Sequence, residues 1–163
     1  MTHSAFSGFE HIASGSLAQV YAASSHIPDC MIFDRETGRV TDIDPRFPPK
    51  EDGPRPGRPK LGVTPREVTL LPRHWDWLAT QPGGASVALR KLVEEASRKP
   101  QSRQRQVRDA AYRLATALVG NAPGYEEAMR ALYAGQRDDF AAHIEAWPAD
   151  VRQVLEEMTV EAF

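Results

Sequence analysis

Fourteen lysines and arginines stand between residues 46 and 108 against six carboxylates, a net of +8 in a chain whose total is −2. The flanks compensate: residues 1–45 carry two arginines and six acids, and residues 109–163 carry four basic residues and ten acids. Positive charge gathered in this way can hold phosphate, or it can complement an acidic surface on the same chain or on a partner. Catalytic chemistry has thinner support. Asp42 and Asp44 alternate onto one face of an extended segment, a spacing open to a hard cation, although a solvated strand end accounts for them equally. His74 and Asp76 lie two apart on an expected helix and so do not face each other, while His3, His11, His26 and His143 are scattered. The sequence has no phosphate loop, dinucleotide fingerprint or zinc spacing. It therefore points away from an enzyme and gives no catalytic, metal or cofactor residues. Cys30, the only cysteine, rules out an internal disulfide and a thiolate cluster, and reads as a small buried hydrophobe.

Within the basic block, residues 66–71 (REVTLL) have the β-branched and apolar character of a strand. Pro72 ends it, residues 73–80 suit a short helix begun beside a proline, and Pro82-Gly83-Gly84 make a turn. Ser86 is placed to cap a second helix over residues 87–98, with Leu89, Leu92, Val93 and Ala96 on one face. This strand-helix-turn-helix, with its Leu71-Pro72 junction, its Trp75 and Leu78 core positions and its Gly-Gly-Ala-Ser turn, resembles the ribbon-helix-helix DNA-binding fold. There, two chains pair their strands into a ribbon that enters the major groove. The resemblance implies a homodimer, with Ser86 and Val87 offering backbone N–H groups to a phosphate. The strand fits less well. One face carries Glu67, Thr69 and Leu71 and the other Arg66, Val68 and Leu70, and neither is a good base-reading set. An ordinary strand and two helices packed in a core explain the same pattern.

Residues 55–60 (RPGRPK) are similar to the core of an AT-hook, whose Gly-Arg-Pro lies along an A·T minor groove where negative potential draws arginine in. The plainer reading is a solvated linker. On the nucleic-acid reading, the contacting residues are Arg55, Arg58, Lys60, Arg66, Thr69, Arg73, Ser86, Arg90 and Lys91.

The elements around this block define an α+β chain. Residues 5–12 alternate like a strand, and residues 14–25 have helical spacing at Leu17, Val20 and Tyr21. Residues 30–33 and 40–43 flank a polar turn ending in Gly38-Arg39, which predicts a β-hairpin. Residues 45–62 hold six prolines and three glycines, so no regular element persists there. Further on, Val107, Ala111, Leu114, Ala115 and Leu118 recur at helical spacing until residues 120–124 (GNAPG) stop the helix. Three more helices are expected over residues 125–134, 137–146 and 148–158, with Trp147-Pro148 anchoring the last. Trp75 is expected in a core, and Trp77, on another face, is more open. The expected units are residues 1–45, a small α/β unit with a β-hairpin; 46–65, a basic linker; 66–99, the ribbon-helix-helix-like segment; and 100–163, a helical lobe.

No run approaches the roughly 18 apolar residues of a membrane span, and the N-terminus lacks a signal peptide's basic patch and apolar core; the expected location is the cytoplasm, with no membrane partner. The long string GRPKLGVTPREVTLLPRHWDWLATQPGGASVALRKLVEEA, preceded by IFDRETGRVTDID and followed by GYEEAMRALYAG and WPADVR, resembles an uncharacterised bacterial family known as a domain of unknown function. That resemblance implies one design across nearly the whole chain and supplies no activity. The expectation for function is a homodimeric DNA-binding protein of the transcriptional-regulator kind. The alternative is a protein-interaction or adaptor module without nucleic-acid binding.

Overall fold

The computed structural model describes residues 2–51, 62 and 64–163. The chain divides into two compact units, one formed by Met1–Glu51 with Arg103–Phe163 and the other by Asp52–Ser102.

In the first unit, residues expected as a single strand form two. Strand β1 (His3–Ser7) turns at Gly8 and returns as β2 (Glu10–Gly15), with a register shift between Ala5 and Phe6. Strand β3 (Cys30–Asp34) pairs antiparallel with the other edge of β1, giving the order β2-β1-β3. The expected hairpin of residues 30–33 with 40–43 is reduced to a single bridge, Phe33 to Val40. The better partner for β3 is β1, which offers five paired residues and buries both strands' apolar side chains.

Period-two alternation gives the sheet two apolar faces. Ala5 and Ile32 face Val20 of helix α1 (Leu17–Ser24), a small cluster with Cys30 half-buried at its margin. Ser16 starts α1 with a capping box: its hydroxyl accepts from the Gln19 N–H, and its own N–H donates to the Gln19 side chain. Phe6 and Phe33 face the opposite way, edge to face at 6.1 Å, into a larger core with helices α4 (Pro100–Val119), α5 (Tyr125–Ala134), α6 (Arg137–Ile144) and α7 (Ala149–Met158). Leu114, Leu132, Ile144, Val151 and Leu155 are fully buried there, and each such side chain contributes about 1.5–3 kcal/mol of burial energy. The N-terminal sheet and the C-terminal helices, expected as separate units 1–45 and 100–163, thus share one core. Neither could close alone, because the sheet's Phe6 and Phe33 need the helices above them. Trp147 anchors the start of α7 as expected, its indole Nε1–H donating to the Pro123 carbonyl at 2.9 Å and its ring stacked near Tyr125.

The second unit contains two described helices, α2 (Pro72–Ala79) and α3 (Gly84–Ser97). Pro72 occupies the first helical turn as anticipated. Helix α3 starts three residues earlier than expected, with Gly83 at the cap in a left-handed conformation, so Ser86 lies inside the helix and caps nothing. Residues 64–71 form no strand. Among the described residues REVTLL has no strand partner, and strand preference without a partner builds no ladder. No helix among the described residues is long and apolar enough to cross a membrane.

Candidate binding surfaces

The residues expected to contact nucleic acid are spread thinly over the second unit. Arg66 and Thr69 are exposed in the irregular segment before α2, and Arg73 is exposed in the first turn of α2. Ser86, Arg90 and Lys91 lie on α3, where the Arg90 Nε–H donates to the Ser86 carbonyl at 3.2 Å. Lys91 borders a shallow hollow of about 490 Å³ with Glu94, Glu95, Arg98 and Lys99, in which Arg98 pairs with Glu94 at 3.5 Å. Arg55, Arg58 and Lys60 lie outside the described residues. Among the described residues no three His, Cys, Asp or Glu side chains gather as a metal site, and Asp44 is taken up by Arg46, whose hydrogen bonds hold its carboxyl below the usual range.

The apolar side chains of α2 and α3 are more telling. Leu71, Trp75 and Leu78 recur at four and three residues, and Leu89, Leu92, Val93 and Ala96 do the same on α3, so each helix carries one stripe. Next to the connecting turn the stripes close, with Leu78 and Ala88 buried. Away from the turn they stay open: Leu71, Leu92 and Val93 are exposed, and so is Trp75 at 42%. The core position expected for Trp75 is therefore corrected. An eight-residue helix against a fourteen-residue helix has enough contact to close one end only. Trp77, 50% exposed, lies off the stripe, as its position two residues along requires.

A second surface, not anticipated from the sequence, lies wholly in the first unit. It is a groove of about 880 Å³ between the turn after β3, helix α4 and the end of α7. Asp34 builds the turn: its carboxylate accepts from the N–H groups of Glu36 and Thr37 at 2.8 and 3.0 Å, while its carbonyl accepts from Gly38 at 2.7 Å. Gly38 has φ +68 and sits so close to α4 that a Cβ would lie 2.0 Å from the Ala110 carbonyl oxygen. Arg113 pins the same turn from α4, donating to the Thr37 carbonyl at 2.8 Å.

Four arginines line this groove, and two are neutralised within it. Arg35, its side chain only 11% exposed, pairs with Glu157 at 3.0 Å, and that hydrogen bond holds the Glu157 carboxyl below its ordinary range. Arg103 pairs with Glu161, whose hydrogen bond and charge raise the guanidinium further. Arg39 and Arg113 have no carboxylate within ion-pair distance among the described residues. Asp109, also in the lining, accepts the Tyr133 hydroxyl at 2.8 Å; burial first, and then this bond, push Tyr133 up to about 12. The sequence signal for this site was the Asp-x-x-x-Gly-Arg turn, which has meaning only once α4 lies beneath it.

Taken together, these features define an α+β protein whose three-stranded sheet carries helices on both faces, joined to a helical hairpin that leaves apolar surface open. The chain belongs to the family described as an uncharacterized protein conserved in bacteria (DUF2239), whose model matches residues 2–159. No curated protein and no solved structure matches it.

Proposed function

We propose that the protein is an interaction module whose α2–α3 hairpin docks an acidic, amphipathic segment of a partner protein. The observation behind this is the half-closed apolar stripe: Leu71, Trp75, Leu92 and Val93 stay exposed in a unit whose buried hydrophobics among the described residues are Leu78 and Ala88. An apolar seam of this kind calls for an apolar complement, and exposed Trp beside Arg is the composition of interface anchors. Arg66, Arg73, Arg90, Lys91, Arg98 and Lys99 outnumber Glu67, Asp76, Glu94 and Glu95 in the same segment, a small basic excess that an acidic partner surface would complement. The test is capture from nuclease-treated lysate by the wild-type chain, Trp75→Ala and Trp77→Ala, with the retained protein identified and its contact mapped by cross-linking. A partner with an acidic helix, kept by Trp77→Ala and lost by Trp75→Ala, is the expected result; loss of every partner on nuclease treatment would sink the reading.

The excess of fourteen basic residues over six acids in residues 46–108 favours a second reading, DNA binding by a homodimer. In that case Arg66, Arg73, Arg90 and Lys91 hold phosphates, and the logarithm of affinity falls with that of salt by about 0.9 per phosphate contacted. Fluorescence anisotropy on duplex DNA at two salt concentrations, with light scattering for oligomeric state, tests it. A monomer with no binding at low salt removes it.

A further inference from the structure

The groove of the first unit is a separate matter from the hairpin. We propose that it binds a small amphiphilic anion: a phosphate monoester on a compact apolar body. Arg39 and Arg113 make no ion pair among the described residues, whereas Arg35 and Arg103 are each paired; the two remaining carboxylates of the lining are Glu36 and Asp109, and Asp109 is bonded to the Tyr133 hydroxyl. Thr37 lies between them. Its hydroxyl accepts weakly from the Arg39 N–H at 3.4 Å and keeps its own proton to donate. Two guanidinium forks and a hydroxyl match a dianion with three peripheral oxygens better than a single carboxylate.

Val107, Met158 and Val160 supply the apolar part of the lining. Val107 precedes Arg113 by six residues on α4, about 9 Å along the axis at the helical rise. That is the length of a phosphate plus one ring or a short chain. The volume, about 880 Å³, is far more than an inorganic phosphate fills and lies within the range of small-molecule sites. The anionic end is also held in advance. Asp34 shapes the turn, Gly38 seats it on α4, Arg113 ties it there, and the Arg35–Glu157 pair fixes its first residue. Binding therefore orders little beyond the Arg39 side chain.

Calorimetric titration of the full chain with phenyl phosphate tests this, with inorganic phosphate, benzoate and phenol as comparators. Phenyl phosphate should bind at least about tenfold more tightly than each comparator, since each lacks either the dianion or the apolar body. Arg39→Gln should weaken it by about tenfold at an unchanged melting temperature, because Arg39 is exposed and its side chain makes no bond among the described residues. Arg130→Gln, an exposed position on α5 outside the lining, should leave the affinity as it was. No heat with phenyl phosphate at millimolar concentration overturns the proposal. So does an equal loss in both variants, which marks non-specific charge, and so does benzoate binding as tightly, which makes the site a carboxylate site.

Discussion

Replacing Gly38 with alanine tests whether the turn after β3 is built onto α4 or merely lies near it. Two costs apply. Holding an L-residue at φ +68 costs about 1–2 kcal/mol. The new methyl would also lie 2.0 Å from the Ala110 oxygen and 2.7 Å from its carbonyl carbon, both helix backbone atoms that cannot swing aside. The turn must lift, and the Arg113–Thr37 bond goes with it, a charged hydrogen bond of about 1.5–3 kcal/mol. The sum is about 2.5–5 kcal/mol. Gly8→Ala separates the two costs, because Gly8 has φ +59 but nothing within 4 Å of its would-be Cβ. Urea unfolding followed by Trp147 fluorescence, in a background with Trp75 and Trp77 changed to Phe, reads the first unit alone. Gly8→Ala should lose about 1–2 kcal/mol and Gly38→Ala at least about 1.5 kcal/mol more. Equal losses would refute the close seating of the turn, and with it the argument that the groove's anionic end is preorganised.

Three further outcomes follow from the same geometry. Asp109→Asn should lower the ionisation of Tyr133 from about 12 toward the ordinary tyrosine range without reaching it, because burial is the larger cause; the 295 nm titration difference against Tyr133→Phe measures this. Since that raised value favours the neutral phenol in the folded state, its stabilisation is complete below the unfolded tyrosine pKa and fades as pH rises toward 12. Glu157 has the opposite sign: its lowered carboxyl pKa stabilises the fold above the unfolded carboxylate value, and that share is lost as pH falls, so Glu157→Gln should flatten the acid limb of the stability profile. In the hairpin, Leu78→Ala should reduce helicity strongly, as the loss of a buried leucine costs about 2–5 kcal/mol, whereas circular dichroism of Trp77→Ala should stay within error of the wild type.

The helices of the first unit were legible because their apolar spacing meets a single core: Val107, Ala111, Leu114, Ala115 and Leu118 read as one face and pack as one. Strand partners were not. Alternation tells which residues share a face but not which strand lies alongside, so β3 was assigned to residues 40–43 when β1 takes its edge. Residues 5–12 hid a turn for a related reason: Gly8 and Phe9 interrupt the pattern by less than the window used to see it. The stripe on α3 is legible as one face, but its exposure is not, since amphipathicity shows that something must cover a helix, not what does. The groove was the least visible feature. Its arginines lie at positions 35, 39, 103 and 113, three of them in segments whose net charge is negative, so the charge blocks give no sign of them.

The two surfaces follow opposite physical logic. The groove rests on a unit with a large closed core, and its turn and Arg113 are held before any ligand arrives. The hairpin has almost no core. Helices of eight and fourteen residues are at or below the length that persists alone in water, and Leu78 with Ala88 is little burial to hold them together. Phosphate contacts through Arg66, Arg73 or Lys91 cover no apolar surface by themselves, so the DNA-binding reading needs its second chain to cover Leu71, Trp75, Leu92 and Val93. A partner that lays an apolar face along the stripe adds the missing half of the core and meets the same basic residues with its acidic flank. The hairpin's stability and its binding then draw on the same buried area, about 25 cal/mol for each Å² removed from water. This is why the proposed reading rests on the open stripe more than on the excess of positive charge.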